Sequence, residues 1–112
     1  MNLNPPAVPG LELSRAVFEQ NLNTDFQLKA ENGEREALSL VQIQTGYCTP
    51  RNEQFSLIFR GDKSKVYPQR TYAVEHDLIG SFDLFLVPIA RNQEGTLYEA
   101  VFNRFVAAPE PA

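Results

Sequence analysis

The chain has 112 residues, 43% of them hydrophobic and 21% charged, which fits one globular domain with a compact core and little room for a deep cavity. Its net charge is −4 and its pI about 4.9, with Lys and Arg scattered, so nucleic-acid binding is not expected. A single cysteine, Cys48, excludes an internal disulfide framework and a multi-cysteine zinc site. No stretch nears the roughly 20 apolar residues of a membrane span.

Residues 1–10 carry three prolines in Pro5-Pro6 and Pro9, which suits a proline-rich arm and neither a helix nor a central strand. They show no signal-peptide pattern, so a cytoplasmic protein is expected, compatible with later release inside a larger particle. A short helix comes next. Ser14 is a good N-cap, Leu13, Val17, Phe18 and Leu22 recur at helical spacing, and Asn21 and Asn23 are stop residues. Such a helix has at most about two turns and depends on packing.

The rest reads as β structure. Phe26, Leu28 and Ala30 alternate with polar residues, and Asn32-Gly33 predicts a tight hairpin turn with φ > 0 at both positions. The return strand covers 36–45. Leu38 and Leu40 lie on one parity and Val41 and Ile43 on the other, which predicts a β-bulge near Leu40-Val41. After a loop, Phe55, Leu57 and Phe59 mark a third strand. A polar loop over 61–70 leads to a short strand at 71–75, then a turn at 76–80. The last hairpin, 81–89 and 97–106, turns at 91–95. The expected fold is mainly β: a six-stranded antiparallel meander curled into a small barrel or roll, with one short N-terminal helix. The domain spans 11–106, and 107–112 is a proline-containing tail.

Four motifs then stand out: Phe55-Ser56-Leu57-Ile58-Phe59-Arg60-Gly61, Pro68-Gln69-Arg70-Thr71-Tyr72-Ala73-Val74-Glu75-His76, Phe82-Asp83-Leu84-Phe85-Leu86-Val87-Pro88 and Tyr98-Glu99-Ala100-Val101-Phe102-Asn103. In these the chain resembles a family of small uncharacterised bacterial β domains. Arg70 departs from that pattern, where glycine is expected, which leaves the turn before Tyr72 open. Members of the family accompany proteins like phage-tail collar or fibre components. The resemblance therefore implies a structural or assembly role and no assigned activity.

No catalytic constellation emerges. His76 is the only histidine, and beside Glu75 its plainer role is to cap the following turn. Asp77 and Asp83 lack the spacing of a calcium loop, and no metal or other cofactor is expected. Cys48 would need His76 as its base, and Ser56 and Ser81 lack a nucleophile elbow. Arg60-Gly61-Asp62 matches an integrin-binding tripeptide, but three residues match by chance, and the structural reading has Gly61 forming a turn.

The informative oddity is apolar content on both faces of the sheet. With Phe82, Leu84 and Leu86 inward, Phe85 and Val87 point outward, and Ile58 and Val101 oppose Leu57 and Phe102. Either the 13–22 segment covers this second face, or part of it stays exposed and binds another protein or a second copy of the chain. The leading expectation is a non-enzymatic interaction or assembly protein docking through Ile58, Phe85, Val87 and Val101, or by sheet-edge pairing. The alternative is a small-ligand-binding barrel lined by Tyr47, Phe55, Tyr72 and Tyr98.

Overall fold

A computed structural model describes residues 13–105. The expected arm at 1–10 and tail at 107–112 lie outside the described residues. Six antiparallel strands, β1 (Asp25–Lys29), β2 (Arg35–Thr45), β3 (Asn52–Gly61), β4 (Arg70–His76), β5 (Gly80–Asn92) and β6 (Gly95–Phe105), form a closed ring in the order β1-β2-β3-β6-β5-β4. One helix, α1 (Arg15–Glu19), precedes them. Two three-stranded meanders, β1-β2-β3 and β4-β5-β6, are therefore joined along both edges. β3 pairs with β6 over ten residues, and β1 pairs with β4 over three. Closure gives each outer strand a partner, although the β1–β4 seam covers only Gln27–Lys29 and Ala73–Glu75.

The local signals act as expected, with one change. Ser14 caps α1, its Oγ accepting the Val17 N–H at 3.3 Å. Asn23 ends the helical segment in the left-handed region (φ 67°), a conformation that Asn tolerates, and its N–H donates to the Leu40 carbonyl at 2.7 Å. The β1–β2 turn departs from the expected two-residue form. Only Gly33 has positive φ (89°), and its N–H donates to the Ala30 carbonyl while Asn32 Oδ1 accepts the Glu34 N–H. This is the longer hairpin connection, a turn followed by a glycine in the left-handed region.

The register between β2 and β3 shifts between Leu40 and Gln42, so Val41 is the bulged residue. The shift returns both Leu40 and Ile43 to the inner side, opposite Phe59 and Leu57. A second shift, between Pro88 and Ala90, lies on β5 opposite β6.

The interior is filled. Phe26, Leu28, Leu38, Leu40, Phe55, Leu57, Phe59, Tyr72, Val74, Ile79, Leu84, Leu86, Tyr98 and Ala100 form one cluster of buried side chains. Phe18 of α1 belongs to it and is fully buried, with Leu13 and Val17 packed alongside. The helical segment thus serves the inner core, which corrects the expectation that it covers the outer face. The physical reason is closure. A ring of strands seals its own interior sideways, and what remains to be sealed is an end, where one short helix with one large ring suffices.

Candidate functional site

The residues expected to dock a partner are only partly brought together. Phe85 is 51% exposed and Val101 69% exposed, while Val87 is half-buried. Ile58 has outward parity between Gln42 and Glu99 yet is only 4% exposed, so a partner could reach little of it. Phe85 and Val101 flank a stretch where β5 and β6 part. β5 pairs with β6 only from Val87–Glu99 to Asn92–Gly95. β5 continues down to Gly80 paired with β4, and β6 continues to Phe105 paired with β3. Among the described residues no ladder joins 80–86 to 100–105. Phe82 and Phe102 sit on the two lips, and the Phe18 ring meets both, at centroid distances of 6.1 and 5.4 Å. A groove of about 290 Å³ lies beside Val101, lined also by Gly46, Gln54 and Ser56.

The tyrosines do not build a ligand pocket. Tyr47 is 73% exposed, whereas Phe55, Tyr72 and Tyr98 are core residues. The Tyr98 hydroxyl accepts the Tyr67 N–H at 2.9 Å, and the Tyr72 hydroxyl donates to the Pro68 carbonyl at 2.5 Å. Both hydroxyls therefore pin the 62–69 loop that carries the chain from β3 to β4. Burial pushes both phenols above their ordinary value; the Tyr67 N–H opposes this at Tyr98, as does the Arg70 charge at Tyr72. Arg70 opens β4 without positive φ and pairs with Glu31 at 2.7 Å, so the turn before Tyr72 does not require glycine there.

His76 caps its turn. Its Nδ1 accepts the Leu78 N–H at 3.0 Å and its Nε2 lies 2.9 Å from Thr24 Oγ1, which engages both ring nitrogens. Glu75 points to the other face, where Lys29 (2.7 Å) and Arg35 (3.2 Å) hold it. Cys48 is exposed on the β2–β3 loop, and its Sγ meets the Gln54 carbonyl at 3.7 Å. Among the described residues, no three His, Cys, Asp or Glu side chains converge as for a metal ion, and no helix is long and apolar enough to cross a membrane.

Arg60-Gly61-Asp62 is built into the barrel rather than displayed on a flexible loop. Gly61 is the last residue of β3, and the Asp62 N–H donates to the buried Glu36 at 2.7 Å. Gly61 is required by close approach. A Cβ there would lie 2.7 Å from Leu38 Cδ2 and 3.1 Å from Glu36 Oε2. Sequence reading missed Glu36, a charged residue on the inward parity of β2, and no local signal marks it apart from that parity.

The helical segment and all four motifs but for the final Asn103 fall within one family match. A model described as a domain of unknown function, DUF6916, matches residues 13–102. The chain belongs to the DUF6916 family. No curated protein and no solved structure matches it. The DUF6916 match begins at Leu13 and so takes in the helix that closes the barrel.

Proposed function

We propose that this DUF6916 domain is a non-enzymatic interaction module that docks another protein, or a second copy of itself, on the outer face around Phe85, Val87 and Val101. The observation that carries the reading is the exposure of Phe85 and Val101 on either side of the stretch where β5 and β6 do not ladder. Exposed aromatic and branched side chains beside an unpaired strand edge suit both apolar docking and strand addition. The filled interior and the engaged His76 favour this over a ligand-binding or catalytic use of the same fold. The sequence resemblance supports a role in assembly, as an accessory component of a phage-tail-like or fibre-like bacterial particle made in the cytoplasm.

The test is light scattering behind size exclusion over a concentration range, on the wild type and on Phe85→Asp and Val101→Asp. We expect a defined oligomer that both substitutions disperse while the fold persists by circular dichroism. A wild-type monomer at every concentration, together with no loss of association to its assembly partners in either variant, would sink the proposal.

A further inference from the structure

The groove beside Val101 belongs to a polar grid laid across three neighbouring strands. Outward side chains stand there in two cross-strand rows, Gln44–Ser56–Val101 and Gly46–Gln54–Asn103. Gly46 joins the second row because its N–H donates to the Gln54 carbonyl at 2.8 Å. On the inner side of the same stretch, Phe55 and Phe102 stack with centroids 4.8 Å apart, which stiffens the strands that carry the rows. Neither row holds a charged side chain. Among the described residues, the side chains of Gln44, Gln54, Ser56 and Asn103 have no hydrogen-bond partner in the protein. Glycine at position 46 keeps the Gln54 carboxamide in place. A Cβ there would lie 3.2 Å from Gln54 Cβ and 3.5 Å from its Oε1.

The lining sets the chemistry of what fits. Gln54, Ser56 and Asn103 offer donors and acceptors without net charge. An ionic ligand would lose water there and meet no opposite charge. A purely apolar ligand would leave the amides it covers unpaired. A neutral ligand whose groups both donate and accept escapes both costs, and adjacent hydroxyls on a sugar ring have that character. Val101, 69% exposed, supplies an apolar surface for the C–H face of such a ring. The volume of about 290 Å³ is at the small end for ligand sites and suits a single ring.

We propose that this groove is a saccharide subsite, which takes one ring of a neutral glycan with its hydroxyls on Gln54, Ser56 and Asn103 and a C–H face on Val101. The groove adjoins the docking face and shares Val101 with it, but the subsite does not depend on the docking reading. Val101 stands where an aromatic platform would bind more tightly, so the expected Kd is about millimolar.

The test is an NMR titration of the full chain, as wild type and as Phe85→Asp, with maltotriose, cellotriose and chitotriose, and with tetraglycine as a neutral peptide. Phe85 lies outside the groove, and its substitution clears the face of any second copy, so failure of docking and failure of the subsite are read separately. We expect at least one sugar to give saturable shifts confined to 54–56, 101–103 and the Gln54 and Asn103 side-chain amides. These should appear in Phe85→Asp whether or not the wild type associates. Gln54→Ala and Asn103→Ala should each weaken binding about three- to tenfold, the worth of one hydrogen bond. Ser56→Leu, which fills the groove from an outward position on β3, should abolish binding with the fold intact by circular dichroism. No saturable shift with any of the three sugars, shifts centred elsewhere, or binding that survives Ser56→Leu would each overturn the proposal. So would tetraglycine moving the same signals more strongly than the sugars, which would make the groove a reader of peptide backbone. Should Ser56→Leu not fold, the two alanine variants decide, and unchanged affinity in both overturns the subsite.

Discussion

Tyr98 shows how one polar atom in the core fixes a connection that the strands themselves cannot. Its ring is buried in the cluster, and its hydroxyl reaches the backbone of the loop between β3 and β4. Thr96, two residues earlier on the same inward parity, adds hydrogen bonds to the Asp62 and Lys65 carbonyls at 3.2 and 2.8 Å. Tyr72 completes the set from the other side. Tyr98→Phe removes the acceptor and leaves the Tyr67 N–H without its partner in a half-buried site. We expect a loss of about 1–3 kcal/mol, read as a lower denaturant midpoint at unchanged slope. Tyr47→Phe, at an exposed hydroxyl, should stay within about 0.5 kcal/mol of wild type.

At the scale of elements, α1 is too short to be stable alone and exists because the barrel accepts Phe18. The four surrounding phenyl rings come from β1, β3, β5 and β6, so one side chain touches both three-stranded halves of the ring. Phe18→Ala should cost about 3–5 kcal/mol, a large share of the stability of a small domain. Thermal unfolding checks this, with Phe18→Leu expected to recover most of the loss. The bulge at Val41 has the same logic within a strand. Without the extra residue, Leu40 and Ile43 could not both face the core.

For the molecule as a whole, charge sets an acid limit. At Glu53 burial works to raise the pKa, but hydrogen bonds from Arg104 and the Arg15 N–H, with both charges, outweigh it, and the net value is lowered. At Glu75 the Lys29 hydrogen bond leads, and burial only partly opposes it, again a lowering. Both folded values lie below the ordinary 4.5, so the stability these groups contribute is present above it and is lost as pH falls through the folded values. We expect the global melting temperature to decline below about pH 4.5. Glu53→Gln should flatten the decline, and melting curves between pH 6 and pH 3 measure it.

Alternation and punctuation are local properties, and they were legible in the chain: the six strands, the Ser14 cap, the Leu40-Val41 bulge and the inward set of Phe55, Leu57 and Phe59 all follow from residues near one another. The candidate site was legible only in part. Parity put Ile58 and Val101 on the same side, but burial separates them, at 4% and 69% exposure, because it depends on what packs from elsewhere. Strand order was out of reach for the same reason. The β3–β4 connection is as compatible with a neighbouring pair as with the observed β3–β6 and β1–β4 pairing. Closure of the ring decided that α1 seals an end rather than a face, and that Glu36 and His76 lie buried beside partners distant in sequence. Period and turn chemistry act over a few residues, whereas closure and burial are settled by contacts across the whole chain.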